Sequence, residues 1–312
     1  MPQKILITGA GGFIGRHVVR EARARPDVRL RLIRRSAGPE QPPGDRVETV
    51  AADLTDPASL RGVCEGIDVV IHCASGIGGD ERTLHAVNDR GTRDLVADAL
   101  HHGVRRIVYI STASVYGRGP FRRAEAHALP LRPGSPTSLT RAAAERHVLE
   151  AGGTVLRPHL VYGTGDRWMI PGLAQLLRYL RAGVDSPSVH SAVGAGALAS
   201  AAVAAALSDR DLAGVHHANH PVPVTASALT GFVLGLLDLP ARAPLDPAAA
   251  RARAGDAPQA LHHLGMLLVD HWFEGSALWR LLDLDPGPSP TESLPEHLPW
   301  YRELLRNPPA PA

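Results

Sequence analysis

The chain has 312 residues, of which 44% are apolar, and its 33 basic and 31 acidic residues leave a net charge of +2. This length exceeds what one small domain needs and is sufficient to bury a large core. The small net charge indicates neither a nucleic-acid partner nor a membrane partner, and no apolar run is long enough to span a bilayer.

The cysteine content and the N-terminal segment bear on the compartment. Two cysteines, Cys64 and Cys73, provide no disulfide framework. No group of residues has the clustered spacing of metal ligands, so we expect no metal site. No signal peptide precedes the first predicted strand. Together these features predict a cytoplasmic protein.

The N-terminal segment is predicted to form a strand, a tight turn and a helix. An apolar run at residues 5–7 is followed by glycines spaced three apart, and helical spacing of apolar residues begins after them. Glycines let a phosphate approach the backbone, and the helix N-terminus offers N–H groups to a pyrophosphate. The pattern predicts dinucleotide binding, with an ordinary tight turn as the alternative. The predicted contacts are Gly9, Gly11, Gly12, Phe13, Ile14 and Gly15.

The second predicted strand, residues 28–33, ends at Arg34 and Arg35. In a dinucleotide-binding fold this end faces the adenosine ribose, where an acidic residue binds a 2′-hydroxyl and an arginine accommodates a 2′-phosphate. The arginines therefore favour NADPH, with NADH as a further possibility; a solvated arginine pair is the alternative. Asp53, after a short strand at residues 47–51, is a candidate acceptor for the adenine amino group.

Strands and helices alternate through the rest of the first half. Asp56 is placed to cap a helix beginning at Pro57. A fourth strand ends near residue 72, a helix is expected from about residue 83 to 101, and a fifth strand covers residues 105–111. This alternation predicts an α/β fold, a Rossmann-type doubly wound parallel sheet that binds its ligand beyond the strands' carboxyl ends.

Several stretches carry a resemblance to a known family. They are TGAGGFIG at residues 8–15, DLTD at 53–56, HCAS at 72–75, NDRGT at 88–92, STASVYG at 111–117 and RPHLVYG at 157–163. With them the chain resembles the extended short-chain dehydrogenases/reductases, a group of nucleotide-sugar epimerases, dehydratases and related ketoreductases. We expect a nucleotide-binding domain at residues 1–165 and a smaller, mostly helical substrate-binding region at 166–312, with late elements packing back on the first domain.

The resemblance implies further site residues. Cofactor contacts are carried over to Leu54, Cys73, Ala74, Ser75, Asn88, Arg141, Pro158 and Val161. The family also implies a catalytic set of Ser/Thr, Tyr and Lys, in which the hydroxyl polarises the carbonyl, the tyrosine donates a proton, and the lysine lowers the tyrosine's pKa and holds the ribose. By position, the carbonyl-polarising hydroxyl falls on Thr112.

The tyrosine and lysine of that set are missing. The helix that should open with them has Thr137 at the tyrosine position and Arg141 at the lysine position. No shift of register restores the motif, because Lys4 is the only lysine. Arginine can hold a ribose but cannot exchange a proton, and threonine is a poor acid. The chain therefore resembles the atypical ketoreductases of aromatic-polyketide pathways that have lost this pair.

Three sources of the proton are open. A ketone beside a phenol can stabilise its own alkoxide through an internal hydrogen bond. A water held by Thr112, Ser138 or Ser75 is the second source. His159, in the loop that lies beside the nicotinamide in this family, is the third, although a lone loop histidine is often merely solvated.

These features predict an NADPH-dependent ketoreductase that acts on a phenolic aromatic polyketide. The alternatives are a nucleotide-sugar epimerase or ketoreductase, and a sensor or scaffold that binds NADPH without turnover. Apolar residues at 168–177 are expected to line a cleft for a flat polycycle, with ordinary core packing as the competing interpretation. The sequence leaves the oligomeric state open.

Overall fold

A computed structural model describes residues 2–36, 46–237, 239 and 242–307. Its centre is a parallel sheet of seven strands, numbered here in chain order with the rest. They are β1 (Gln3–Thr8), β2 (Val28–Arg34), β3 (Val47–Ala51), β4 (Val69–His72), β5 (Arg106–Ile110), β7 (Thr154–Arg157) and β11 (Gly214–His217). Their order in the sheet is β11-β7-β5-β4-β1-β2-β3.

The order of the strands reverses at β1. The strands β2 and β3 are added on one side of β1, and β4, β5, β7 and β11 follow on the other. Such a reversal opens a crevice beyond the carboxyl ends of β1 and β4, where doubly wound sheets bind their ligands. The topology confirms the predicted Rossmann-type doubly wound parallel sheet.

Burial explains the sequences of the central strands. Ile5, Leu6 and Ile7 of β1 are 0% exposed, as expected for a parallel strand covered on both faces. In β2, nearer the sheet edge, Arg29 is exposed and Arg31 donates a hydrogen bond to Glu48 of β3 at 2.6 Å. The continuous apolar run of β1 therefore marks a central strand, and the alternating run of β2 marks a strand nearer the sheet edge.

Helices cover the sheet and build most of the C-terminal region. They are α1 (Phe13–Arg23), α2 (Glu81–Leu84), α3 (Gly91–His101), α4 (Pro136–Glu150), α5 (Met169–Leu180), α6 (Ala195–Leu207), α7 (Ala226–Leu234), α8 (Pro247–Ala254), α9 (Pro258–Leu267), α10 (Ser276–Leu282), α11 (Pro290–Ser293) and α12 (Leu298–Arg306). A π-helical segment, His85–Arg90, joins α2 to α3. The predicted helix at residues 83–101 is thus confirmed as one helical stretch.

The helix predicted after Asp56 does not form. Residues 57–66 make successive turns instead, and the Asp56 carboxylate accepts a hydrogen bond from the Ala58 amide at 3.0 Å. Gly62 and Gly66 have φ angles of +77° and +65°, outside the helical region, so a regular helix cannot pass through them. Asp56 and Pro57 are residues typical of a helix start, but Gly62 and Gly66 prevent a regular helix from continuing after them.

The C-terminal region forms further strands and returns to the large sheet. Its small sheets use β6 (Phe121–Ala124), β8 (Leu160–Tyr162), β9 (Val189–His190), β10 (Ala192–Gly194), β12 (Val224–Thr225) and β13 (His271–Phe273), in the orders β12-β9-β13-β6 and β10-β8. Two elements that follow residue 165 contact the first half of the chain: β11 completes the large sheet, and the alanine-rich α6 packs against α1. These late elements pack against elements of the first half, and the division into two domains stays a prediction.

Among the residues described, no helix is both long enough and apolar enough to cross a membrane.

Candidate active site

The glycine turn lies at the crevice between β1 and β4. The Gly12 amide donates to the Gly9 carbonyl at 2.9 Å and closes the turn just before α1 begins. A Cβ on Gly15 would collide with the Gly9 carbonyl, whereas one on Gly11 would meet nothing within 4 Å. Among the described residues, no side chain caps the N-terminus of α1. The backbone amides of Phe13 and Ile14 are therefore available to an anion. The turn is packed against its helix and open where a pyrophosphate would approach.

The same turn touches the end of β4. Gly9 has a φ of +66°, and a Cβ there would lie 2.7 Å from the Ala74 backbone nitrogen. The Ala74 amide donates to Thr8 Oγ1 at 3.1 Å. Only glycine allows this approach of the two strand ends. The residues present therefore fit a dinucleotide cofactor.

A buried histidine supports this junction. His72 Nδ1 lies 2.6 Å from Thr8 Oγ1, and its Nε2 lies 2.9 Å from Thr92 Oγ1. Burial, helped by the nearby Arg141 charge, lowers the pKa of His72 to about 3, so the ring is neutral at physiological pH. The sequence analysis assigned His72 no role. A polar residue ending an otherwise apolar buried strand was the signal that could have found it.

Asn88 braces the loop after β4. Its Oδ1 accepts from the Gly76 amide at 2.7 Å, and its Nδ2 donates to the Gly76 carbonyl and to Thr140 Oγ1. The side chain is 1% exposed. Asn88 therefore orders the Ala74–Ser75 loop, and its amide is occupied by the protein itself.

Arg141 lies beside that loop, at the carboxyl ends of β4 and β5. Its Nη1 donates to Ser75 Oγ at 2.8 Å, its Nη2 donates to the Ile110 carbonyl, and the guanidinium lies 5.3 Å from the centre of the Tyr109 ring. Its Nε is buried and has no hydrogen-bond partner among the described residues. The geometry places a fixed positive charge where the family's lysine is expected.

The end predicted to face the adenosine lies at the surface. Arg34 and Arg35 are exposed at the end of β2. The Thr55 amide donates to Asp53 Oδ1 at 2.8 Å, and this hydrogen bond, with the Thr55 hydroxyl and the Arg35 charge, lowers the pKa of Asp53. Arg35 and Asp53 therefore belong to one exposed cluster. Leu54, next to them, is buried under Gly91.

Thr112 follows β5 and is partly exposed. Its Oγ1 accepts from the Ser114 amide at 3.2 Å and donates to Ser114 Oγ at 3.1 Å. The next amide, that of Ala113, donates to the Pro158 carbonyl at 2.7 Å and so joins the segment after β5 to the segment that carries His159. Cys73 and Val161 are partly exposed and pack against the main apolar core.

The helix α4 carries Thr137, at the position of the lost tyrosine, and Ser138, the residue after it. Thr137 Oγ1 accepts from the Gly78 amide at 3.3 Å. Ser138 is 2% exposed, and its hydroxyl donates to the Ser135 carbonyl and accepts from the Ser135 amide, both at 3.0 Å. The Ser138 hydroxyl is thus used by the helix cap, and we leave it out of the proton path proposed below.

Neither nearby tyrosine replaces the missing acid. Tyr109 is buried beneath Arg141, and burial raises its pKa. Tyr116 is also buried, and its hydroxyl accepts from Arg157 Nη1 at 2.7 Å and lies 2.8 Å from His217 Nε2. Burial raises the pKa of Tyr116 as well. Both side chains are buried inside the protein.

A buried ion pair lies beneath the Thr112 segment. Arg157 donates to both carboxylate oxygens of Glu145, at 2.9 Å from Nε and 2.5 Å from Nη2, and Ser111 Oγ donates to the same carboxylate. The two side chains are 4% and 1% exposed. This bidentate pair fixes the end of β5 and was not found from the sequence, because its partners lie on separate elements.

An apolar cavity opens beside His159. Its volume is about 220 Å³. It is lined by His159, Leu160, Trp168, Met169, Leu173, His190, Leu229, His262, His263, Met266 and Leu267. The prediction of an apolar cleft is confirmed for Trp168, Met169 and Leu173, whereas Leu176 and Leu177 belong to the core.

His159 is partly buried and does not stand alone. Its ring lies between 5.1 and 6.2 Å from the rings of His271 and His190. Burial, together with the charges these neighbours would carry, holds the pKa of His159 well below 6.5. The imidazole is therefore neutral at pH 7, which leaves it a poor reservoir for the proton. The sequence analysis missed His190 and His271 because they lie far from His159 along the chain.

Relatives support the nucleotide-binding interpretation. Residues 5–181 match the NAD dependent epimerase/dehydratase family. A 2-alkyl-3-oxoalkanoate reductase of Stenotrophomonas maltophilia (strain K279a) is 35% identical over 187 residues, which cover 56% of each chain. A 4-hydroxy-2-methyl-3-oxo-4-farnesyl-3,4-dihydroquinoline-1-oxide ketoreductase of Stigmatella aurantiaca is 28% identical over 187 residues, or 57% of this chain and 56% of the relative. The chain spans about half the length of these curated relatives.

Solved structures extend the likeness to nearly the whole fold. MoeE5 in complex with UDP-glucose and NAD has a TM-score of 0.72 at 23% identity, covering 97% of this chain and 99% of MoeE5. A UDP-glucuronic acid 4-epimerase from Bacillus cereus in complex with NAD has a TM-score of 0.73 at 21% identity, with the same coverage. The glycine turn, the doubly wound sheet and the matched residues agree: the chain belongs to the NAD-dependent epimerase/dehydratase family.

Proposed function

We propose that this protein is an NADPH-dependent ketoreductase of a phenolic aromatic polyketide, and that the substrate or a bound water supplies the proton. One observation carries the proposal: the dinucleotide turn and the fixed charge of Arg141 are present, while Thr137 and Arg141 stand at the positions of the tyrosine and lysine, and Tyr109 and Tyr116 are buried. Such a site retains what hydride transfer needs and lacks the usual proton donor.

The roles of the chain's own residues follow from their contacts. The first turn of α1 would hold the pyrophosphate, Arg34 and Arg35 the 2′-phosphate, and Arg141 the nicotinamide ribose. When bound, the reduced nicotinamide supplies the hydride. Thr112 donates a hydrogen bond to the ketone oxygen and stabilises the alkoxide that forms.

In this proposal the substrate supplies the proton for the alkoxide. A phenol next to the ketone shares its proton with the developing alkoxide, and the phenolate is then reprotonated from water. The protein must only hold the ketone in place and keep bulk water away. Neutral His159 can orient the substrate through a hydrogen bond without serving as the acid.

The cavity favours a flat, apolar ligand over a sugar nucleotide. Its lining consists mainly of aliphatic, aromatic and imidazole side chains. Trp168 is 60% exposed at its edge, where an aromatic ring can cover a polycycle. The substrate class we propose is angucyclinone-like, as for the simocyclinone ketoreductase, an atypical enzyme that this chain resembles.

The names of two relatives point in the same direction. Both are carbonyl reductases, and the quinoline ketoreductase is named for a 4-hydroxy-3-oxo compound, in which a hydroxyl neighbours the ketone. The second candidate function, a nucleotide-sugar epimerase, is favoured by the likeness to sugar-nucleotide enzymes over 97% of the chain. The missing tyrosine and lysine weigh against it, because epimerisation needs a proton to be removed and returned.

The test uses the whole chain with NADPH and a tetracyclic ketone that carries a phenol beside its carbonyl. We expect cofactor consumption at the nicotinamide absorbance and a reduced product by mass spectrometry. The methyl ether of the same phenol is the matched control and should react at least about 10²-fold more slowly, the lower end of what loss of a positioned acid removes.

Each other outcome has a separate meaning. Equal rates for phenol and ether would contradict substrate-assisted protonation. Interconversion of UDP-sugars with NAD would favour the epimerase. Tight NADPH binding without turnover of any phenolic ketone would favour the sensor or scaffold.

A further inference from the structure

Three histidines from separate elements meet at the wall of the apolar cavity. His159 precedes β8, His190 ends β9 and His271 begins β13, with His190 and His271 paired on neighbouring strands. One ring nitrogen of each lies within 4.8 Å of those of the other two. The ring centroids are 5.1 to 6.2 Å apart and the planes agree within 15°. The cluster is therefore a triangle of imidazoles.

Backbone carbonyls fix two of the rings. His190 Nε2 lies 3.0 Å from the Leu267 carbonyl, and His271 Nδ1 lies 2.8 Å from the Val269 carbonyl, so each of these nitrogens donates. The other nitrogen of each ring is then an unprotonated acceptor, and that of His271, Nε2, accepts a long hydrogen bond from the Gly119 amide at 3.4 Å. This is the support that metal-binding histidines usually receive from a neighbouring oxygen. Among the described residues, the ring nitrogens of His159 form no hydrogen bond at all.

The cluster also resists protonation. Burial is the largest cause of the lowered pKa at all three histidines, and the pKa of His190 falls to about 4. Repulsion from neighbouring histidines adds to the lowering at His159 and His190, and the Arg118 charge adds to it at His271, whereas the Asp270 charge opposes it at His190 and His271. The Asp270 carboxylate is directed to Arg122 and the Val189 amide. At neutral pH the cluster therefore holds three neutral imidazoles, each with one unprotonated ring nitrogen.

We propose that His159, His190 and His271 form a binding site for a divalent transition-metal ion of the zinc class. Three neutral imidazoles are a ligand set that zinc uses in sites with an open fourth position. Because His159 and His190 line the cavity, the exchangeable position lies on the cavity side, where an oxygen of a bound ligand can reach it.

Binding of the ion requires small movements of the three histidine side chains. Ligand nitrogens about 2.05 Å from a tetrahedral zinc lie roughly 3.3 Å apart, closer than the 4.8 Å limit of this cluster. Part of this change is rotation of the His159 ring, which no hydrogen bond fixes among the described residues, and the rest is a shift of the His190 and His271 rings against their carbonyl partners. The site is independent of the proposed reductase function, since it concerns binding of the ion alone.

The test titrates tag-free, chelator-treated protein with Zn²⁺ in a calorimeter and with Co²⁺ by visible absorption. We expect one ion per chain, a low-coordinate Co²⁺ spectrum, and loss of the Co²⁺ bands when Zn²⁺ is added. His190→Ala and His271→Ala should each weaken Zn²⁺ binding at least about 10-fold, the lower end of what loss of a supporting residue causes. Wild-type Tm should rise with Zn²⁺ and stay unchanged with Mg²⁺.

His262→Ala and His263→Ala are the matched controls, since both histidines line the same cavity outside the triangle. Each should retain wild-type Zn²⁺ affinity. His159→Ala serves as the third ligand variant if a strand histidine proves necessary for folding, because His159 lies outside the strands. Absence of stoichiometric binding by wild type, or equal losses in the ligand and control variants, would show an aromatic cluster only and overturn the proposal.

Discussion

Arg141 Nη1 donates a hydrogen bond to Ser75 Oγ at 2.8 Å and so ties α4 to the loop that follows β4. The same guanidinium donates to the Ile110 carbonyl at the end of β5. One side chain thus joins three elements around the crevice. Since a guanidinium keeps its proton near neutral pH, this residue can hold and position but cannot relay a proton.

Replacing Arg141 should therefore weaken cofactor binding. Arg141→Ala removes the charge we assign to the nicotinamide ribose and releases Ser75. We expect NADPH affinity to fall about 10- to 100-fold, equivalent to one or two hydrogen bonds from a charged group. Titration of cofactor fluorescence measures this. Arg146→Ala, exposed on the same helix, is the control, and equal affinities for the two variants would remove Arg141 from the site.

Thr112 should affect turnover more than binding. Thr112→Val keeps the side-chain shape and removes the hydroxyl, so we expect kcat to fall by about 10²-fold, as for loss of one donor to an oxyanion. NADPH affinity should not change, and Thr112→Ser should restore most of the rate. Ser114→Ala tests whether the hydrogen bond between these two hydroxyls matters by itself; a fall as large as that of Thr112→Val would make Thr112 structural.

Thr137 should matter much less than a catalytic acid. Its hydroxyl accepts from the Gly78 amide, and it has no chemical means of donating a proton near neutral pH. We expect Thr137→Ala to lower steady-state turnover less than about tenfold, against the 10²- to 10⁴-fold that loss of a general acid causes. A larger fall, with unchanged NADPH affinity, would place Thr137 in the proton path.

Local signals predicted the parts of the site that lie within single segments. The apolar run, glycine turn and helix were predicted together because all three occur within residues 3–23. Arg34 at a strand end follows from the same reasoning. The helix after Asp56 was wrong because a start signal says nothing about the glycines that follow it.

Contacts between distant segments could not be predicted. Glu145 and Arg157 lie on α4 and β7, and nothing in either segment shows that a carboxylate and a guanidinium will meet in the core. The three histidines of the cavity wall are spread over more than a hundred residues. Tertiary packing alone brings such groups together, so a count of local ligand spacing misses them.

The Glu145–Arg157 pair should be a large contributor to stability. Glu145→Gln leaves the buried guanidinium of Arg157 without its countercharge, and breaking such a pair destabilises a protein by about 3–5 kcal/mol. Urea denaturation followed by circular dichroism measures the change in the free energy of unfolding. Glu150→Gln, exposed at the end of the same helix, is the control and should change it by less than about 0.5 kcal/mol. Similar values for both variants would contradict the assignment.

His72 should make the protein sensitive to acid. Its pKa is about 3 in the folded protein and about 6.5 in an unfolded chain, so below pH 6.5 the unfolded state binds a proton that the folded state does not. The free energy of unfolding therefore falls with decreasing pH, by up to about 1.4 kcal/mol per pH unit from this one residue between roughly pH 6 and pH 4. Other buried histidines add to the total slope.

The contribution of His72 can be isolated by substitution. His72→Gln keeps hydrogen-bonding groups near Thr8 and Thr92 but removes the titrating ring. Urea denaturation between pH 4.5 and 7 should show that the free energy of unfolding falls less steeply with decreasing pH in the variant than in wild type. The difference between the two slopes should correspond to about one bound proton. His101→Gln is the control for loss of an exposed histidine. Parallel curves for wild type and His72→Gln would mean that His72 is protonated in the folded protein, and the hydrogen bonds that join β1 to β4 would then need a different arrangement of donors.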